Sequence, residues 1–156
     1  MGMSDWSELD EKFMRAARAE AKVAASVGEI PVGAVVVKNG KVIGAGLNRS
    51  IQDADPTAHA EIVAIRAAAQ AEQNYRLNGA TIYVTLEPCA MCMGAMIQAR
   101  MTRLVFGAYD EKAGAAGSVL DLADNRQLNH QIEVNGGLQQ EECAAALKRF
   151  FESRRN

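Results

Sequence analysis

Residues Thr81 to Gly107 read TIYVTLEPCAMCMGAMIQARMTRLVFG. Three local signals divide this stretch. Thr81 to Leu86 is β-branched and aromatic, the composition of a strand. Pro88 suits the start of a helix, where the N–H that proline lacks would go unpaired anyway, and the spacing predicts a helix over 89–100. Arg103 to Gly107 returns to strand composition. Strand, helix, strand in that order places the two strands parallel in one sheet. Such sheets carry their sites at the carboxyl ends of the strands, and Leu86 to Cys89 is one of these ends.

Upstream, Ser7 caps a helix over 8–27 with an apolar stripe of Leu9, Phe13, Ala16, Ala17, Val23, Ala24 and Val27, and Gly28 ends it. Val32 to Val37 is a continuous apolar run, hence a buried strand; Asn39-Gly40 is the type I′ hairpin pair, and Val42 to Leu47 is the returning strand. A polar loop over 48–56 closes on Asp55-Pro56, and Thr57 caps a helix over 58–72. Downstream come a Gly/Ala loop over 108–118, a short helix over 119–124, a strand from Gln131 to Val134 and a last helix over 138–154. The order predicts an α/β protein: one domain over 1–156, with a five-stranded mixed sheet and helices on both faces.

A chain of 156 residues that is 49% apolar and 23% charged can support one core without disulfides. No apolar run is long enough for a membrane span, so no membrane partner is expected. The polar, acidic start is unlike a signal peptide, and the three cysteines, Cys89, Cys92 and Cys143, read as reduced thiols of a cytoplasmic protein.

Two short runs carry chemistry: His59-Ala60-Glu61 and Pro88-Cys89-Ala90-Met91-Cys92. Alone, C-x-x-C fits a redox pair, and a lone His-x-Glu fits a helix start. Together they offer one imidazole and two thiolates, the latter on one helix face and favoured by the helix N-terminus. Three such ligands suit Zn2+ and leave the fourth tetrahedral position for water, the pattern of a catalytic site. Glu61 lies two positions after His59, about 200° round a regular helix, so the two side chains converge only above a helix end. From there a carboxylate can take a proton from water and return it to substrate. Asn48 and Asp110 each also fit a plain turn or cap role, and Glu61 fits a carboxylate that complements the helix dipole.

H-x-E … P-C-x-x-C is itself the signature of zinc-dependent nucleobase deaminases, so that assignment follows from the signature and not from the spacing. Further runs extend it: Pro31 to Val35, Asp55 to Ile62, Asn74 to Leu77, Tyr83 to Cys92, Val105 to Gly107 and Gly114 to Ser118. Over nearly its whole length the chain resembles the bacterial tRNA-specific adenosine deaminases of the cytidine/deoxycytidylate deaminase superfamily. The resemblance implies a three-layer α/β/α cytidine-deaminase-like fold and one zinc per subunit held by His59, Cys89 and Cys92. It implies zinc-bound hydroxide attacking adenine C6, with Glu61 as proton shuttle, and conversion of the wobble adenosine of a tRNA anticodon stem-loop to inosine by a homodimer. It also implies that Asn48 binds the purine, that Val32 and Leu86 wall the pocket, that the Ala60 backbone lies near the base, and that Asp110 meets the flipped anticodon nucleotides. Arg149, Phe150, Phe151, Arg154 and Arg155 resemble a C-terminal helix that contacts RNA. The same signature also serves deaminases of free guanine, cytosine or cytidine, and a non-catalytic zinc-containing RNA-binding subunit is a third reading, against which Glu61 speaks.

Clustered methionines (Met91, Met93, Met96, Met101), in or just after the helix over 89–100 and spread round several of its faces, point to the homodimer contact. The formal net charge of −2 disfavours a general nucleic-acid binder. It conceals opposite ends: residues 1–12 sum to −3 and residues 148–156 to +3. A local patch of that kind predicts few phosphate contacts and a shallow salt dependence.

Overall fold

The computed structural model describes residues 6–154. In chain order the elements are α1 (Glu8–Ser26), β1 (Gly33–Lys38), β2 (Lys41–Leu47), α2 (Ala60–Glu72), β3 (Thr81–Leu86), α3 (Ala90–Gln98), β4 (Arg103–Ala108), β5 (Glu133–Gly136) and α4 (Gln140–Arg154). The five strands form one mixed sheet in the order β2-β1-β3-β4-β5. β1 runs antiparallel to both β2 and β3, while β3, β4 and β5 are parallel.

Period-two alternation fills both faces of this sheet. Val35, Val37, Tyr83 and Val105 face α1 and α4, packing with Phe13, Met14, Ala17 and Leu138. Ala34, Val36, Ile82, Val84, Leu104 and Phe106 face the opposite side, packing with Ala64 and Ala68 of α2 and with Met93, Met96 and Ile97 of α3. The result is the three-layer arrangement read from the sequence. Met93, Met96 and Met101 are fully buried here and only Met91 is exposed. Three of the four clustered methionines are therefore core residues and do not mark an interface.

Local chemistry accounts for the differences at element ends. Ser7 caps α1 in a reciprocal box with Asp10. The buried stripe of α1 is Phe13, Met14, Ala17, Ala21 and Ala24, while Leu9, Val23 and Val27 are exposed. At 3.6 residues per turn these three lie about 90° or more from the stripe's centre. Thr57 is not the cap of α2, because its hydroxyl is bonded to Asp55 Oδ1 at 2.7 Å; the helix starts two residues later and His59 is its N-cap. The expected short helix over 119–124 is a set of turns around Asp121, whose carboxylate accepts from the N–H groups of Ala123 and Asp124. The Gln131 side-chain amide donates to the carbonyls of Asn125 and Leu128, outside the sheet, and β5 begins two residues on from the expected 131–134. Left-handed backbone at Gly137 and Gln139 delays α4 to Gln140. No helix among the described residues is long and apolar enough to cross a membrane.

The parallel strands β3 and β4 both end toward the N-termini of α2 and α3. Gly44 and Gly46 of β2 permit that convergence: a Cβ on Gly46 would lie 2.5 Å from the Ala60 carbonyl oxygen, so α2 rests directly on the strand.

Candidate active site

His59 and Cys89 are both N-caps with extended backbone, at φ −71° and −79°. Neither spends its side chain on its own helix. Both are thus aimed beyond the helix ends, and Cys92 joins them from the first turn of α3. The three ligand atoms lie within 4.8 Å of one another, with His59 Nδ1 at 3.6 Å from both Cys89 Sγ and Cys92 Sγ. Tetrahedral zinc, with Zn–S of about 2.3 Å and Zn–N of about 2.1 Å, places N and S about 3.6 Å apart. The residues present therefore fit the metal in type and in spacing. The pKa of Cys89 is lowered to about 3, first by the Cys92 thiol and then by His59, against the opposing effect of burial. Cys92 is pushed up by its bond to Cys89 and by burial.

Glu61 is not one of the ligand atoms. It is 4% exposed, and burial pushes its carboxyl up to about 7. The N-cap geometry of His59 explains how residues two apart reach one place: the turn that would separate them by about 200° has not yet begun at His59.

A cavity of about 170 Å³ opens beside these groups, lined by Val32, Asn48, His59, Glu61, Leu86, Cys89 and Asp110. Seven of the nine catalytic, metal and pocket residues read from the sequence thus meet at one surface. Cys92 lies behind it, fully buried. Ala60 does not line the cavity; it is buried beneath Gly46. Asn48 is fixed by its backbone, whose N–H donates to the Val32 carbonyl at 3.1 Å, and its side chain faces the cavity. Asp110 does two things at once. It lines the cavity, and its Oδ1 accepts from the N–H groups of Lys112 and Ala113 to close a turn.

Ile30, Glu87 and Ala113 complete the lining and were not singled out from the sequence. Glu87 accepts from the N–H groups of Asp110, Ala116 and Ser118 and from the Ser118 hydroxyl. Burial raises its pKa, but these bonds outweigh it and the net shift is downward. Gly114 makes room for this carboxylate, since a Cβ there would lie 2.4 Å from Glu87 Cδ. Glu29, next to Ile30 and fully buried, does the same for the loop after Asn48, accepting from the N–H groups of Ile51 and Gln52. Two buried carboxylates therefore tie down the two loops that flank the cavity. A signal was present for one of them: Glu87 is a charge placed between a buried strand and Pro88.

Arg149, Phe150 and Arg154 lie elsewhere, on a groove of about 750 Å³ between α1 and α4. Phe151 is exposed, and Arg155 lies outside the described residues.

The family model described as "Cytidine and deoxycytidylate deaminase zinc-binding region" matches residues 7–108. The chain is 53% identical over 150 residues to the tRNA-specific adenosine deaminase of Haemophilus influenzae, covering 96% of this chain and 87% of that protein. It is 45% identical over 142 residues to the tRNA-specific adenosine deaminase of Bacillus subtilis, covering 91% and 88%. A solved structure from work on A-to-I editing by tRNA:A34 deaminases at the wobble position superposes with a TM-score of 0.85 at 44% identity, covering 87% of this chain and 99% of the other.

Proposed function

The chain belongs to the cytidine and deoxycytidylate deaminase family, and on that premise we propose that it deaminates the wobble adenosine of a tRNA anticodon to inosine, releasing ammonia. The observation that carries the reading is the pairing, at one small cavity, of a metal-ligand triad with a buried carboxyl group that is not itself a ligand. Relatives named as tRNA-specific adenosine deaminases, aligned over almost the entire chain, supply the substrate class.

His59, Cys89 and Cys92 are the residues that would hold zinc, which supplies Lewis-acid activation of water near neutral pH when bound. Water's oxygen bonds to adenine C6 and the C6–N6 bond breaks. Glu61 accepts a proton from the water and delivers it to the departing amine, so that ammonia leaves and the ring keeps the oxygen. Burial raises the pKa of Glu61 above the ordinary carboxylate range, the direction that suits a group acting as base and then as acid. Asn48 carries both a donor and an acceptor for the purine edge. Val32, Leu86 and Asp110 line the same cavity; the first two would give apolar contact to the base, and Asp110 would meet neighbouring nucleotides. An anticodon loop suits such a cavity because its unpaired bases can be turned out at small cost. We further propose that the enzyme is a cytoplasmic homodimer, checked by sedimentation at micromolar concentration; a monomer there overturns that part.

The zinc-loaded protein is incubated with a tRNA bearing a wobble adenosine and, separately, with free adenosine, cytidine and guanine, while inosine and ammonia are measured. Inosine in the tRNA alone is the expected result, and turnover confined to free bases overturns the proposal. Glu61→Gln should lower turnover by about 10²–10⁴-fold with zinc content unchanged. Loss of zinc in that variant would remove Glu61 from its role as proton carrier.

A further inference from the structure

The groove between α1 and α4 takes no part in the chemistry just described, yet it is the larger concavity and carries an unusual charge. Five cations line it, Arg15, Arg18 and Lys22 from α1 and Arg149 and Arg154 from α4, against the one carboxylate of Glu142. Among the described residues none of the five has an ion-pair partner; the pairs that form involve Lys38, Arg49, Arg103 and Arg126. Arg18 donates only to the neutral Gln139, at 2.9 Å, and Arg154 is stacked 4.4 Å from the Phe150 ring. Small residues, among them Ala21, Ala25 and Ala146, leave the space between the helices open. Unpaired like charges round an alanine-lined trough repel one another, and low-dielectric walls concentrate their field, so the site is complementary to a polyanion.

Its position says which polyanion. Pro31 and Thr85 line the groove, while their chain neighbours Ile30, Val32 and Leu86 line the active cavity. Thr85 and Leu86 are successive residues of β3 and so face opposite sides of the sheet, while Ile30 to Val32 turn on the bond from the Val32 N–H to the Ile30 carbonyl; the two concavities therefore adjoin through neighbouring residues of the same chain segments. An RNA strand with one base in the cavity would carry its adjoining backbone toward the groove.

We propose that this groove binds the sugar–phosphate backbone of the RNA substrate next to the nucleotide being deaminated, and that α1 as well as α4 supplies the contacts. The proposal rests on the tRNA reading above. It enlarges the terminal patch found in the charge count, because the fold adds three cations from the first helix to those of the last.

The test compares wild type with the triple variant Arg15→Gln/Arg18→Gln/Lys22→Gln, and with a control triple, Lys38→Gln/Lys41→Gln/Arg126→Gln, whose residues line neither concavity. Binding of a wobble-adenosine tRNA is measured by anisotropy between 50 and 200 mM salt, together with KM and kcat. Each single-strand phosphate contact contributes about 0.7 to the slope of log K against log salt. The α1 variant should therefore lose about 2 from that slope, so that wild-type binding falls about 16-fold more than the variant's across this fourfold range. KM should rise with kcat kept, and the control should behave as wild type. An unchanged slope and KM in the α1 variant overturns the proposal, as does a slope loss equal to that of the control. Binding of ATP or inorganic phosphate that the α1 variant abolishes, with the tRNA slope unchanged, also overturns it in favour of a small-anion site. If wild type binds tRNA with the expected slope difference but forms no inosine, the deaminase reading fails and the groove stands; if wild type does not bind tRNA, the groove falls.

Discussion

Glu87→Gln isolates the link between loop anchoring and substrate binding. Glu87 Oε1 accepts from the Asp110 N–H at 3.0 Å and from the Ser118 hydroxyl, and Oε2 accepts from the N–H groups of Ala116 and Ser118, each at 3.0 Å. All four partners donate, which a carboxylate satisfies and an amide cannot. If the glutamine nitrogen takes the Oε2 side, it meets two backbone N–H groups that have no acceptor to offer. If it takes the Oε1 side, it meets one such group, while the Ser118 hydroxyl can turn and accept. The second orientation is favoured, and it breaks the bond to Asp110. A buried donor left unpaired costs about 1–3 kcal/mol, and the surviving bonds lose their charge assistance. A net loss of about 2–3 kcal/mol lowers Tm by about 4–12 °C for a chain of this size. Because Asp110 and Ala113 line the cavity, the variant should also show a raised KM for tRNA with kcat and zinc content nearly unchanged. Calorimetry, steady-state kinetics and metal analysis on one preparation read all three. An unchanged Tm would mean that the four bonds do not hold the loop, and a fall in kcat at constant KM would mean that the loop does not act through binding.

Asp10 gives a pH prediction. It accepts from Tyr83 Oη at 2.7 Å and from Arg103 Nη1 at 2.9 Å, and although burial alone would raise its pKa, these bonds bring it below the ordinary value. A carboxyl lowered in the folded state contributes stability that is complete above its unfolded pKa of about 3.9 and is lost as pH falls through the folded value. Wild type should thus lose stability below about pH 4 more steeply than Asp10→Asn in urea titrations. The variant should start about 2 kcal/mol lower at pH 7, less than for a fully buried pair because Arg103 keeps 25% of its side chain in solvent. Equal pH slopes in the two proteins would refute the assignment. Gly46→Ala would set a Cβ 2.5 Å from the Ala60 carbonyl and 2.6 Å from the Ala64 nitrogen, both backbone atoms of α2. Overpacking should cost about 1–3 kcal/mol and, by displacing the helix start that carries His59 and Glu61, weaken zinc affinity measured by chelator competition; unchanged affinity would refute the coupling.

What could be read from the sequence divides along a physical line. Periodicity reports burial, so the strands at 81–86 and 103–108, the hairpin at Asn39-Gly40 and the two-sided sheet were legible. Donor chemistry is carried by side-chain identity, so His59, Cys89, Cys92 and Glu61 were legible as a set even though the start of α2 lay two residues from its expected place. That shift matters to the chemistry, since His59 outside the helix and Glu61 inside it can reach one cavity where two helical positions could not. Glu29 was not legible, and Glu87 only as a charge set between a buried strand and Pro88, because what they satisfy is a group of backbone N–H donors in loops, and no residue type records which loop donors will be left unpaired. The same limit applies to charge. Counted along the chain, the basic excess lies at the C-terminus; Arg15, Arg18 and Lys22 are interleaved with Glu20 and follow an acidic start, so the first helix reads as near neutral. Only the packing of α1 beside α4 brings the three onto one wall with Arg149 and Arg154. A net charge of −2 is therefore compatible with a polyanion site, since binding depends on the field within a Debye length of the groove, and of the acidic residues that balance the total only Glu142 lines it.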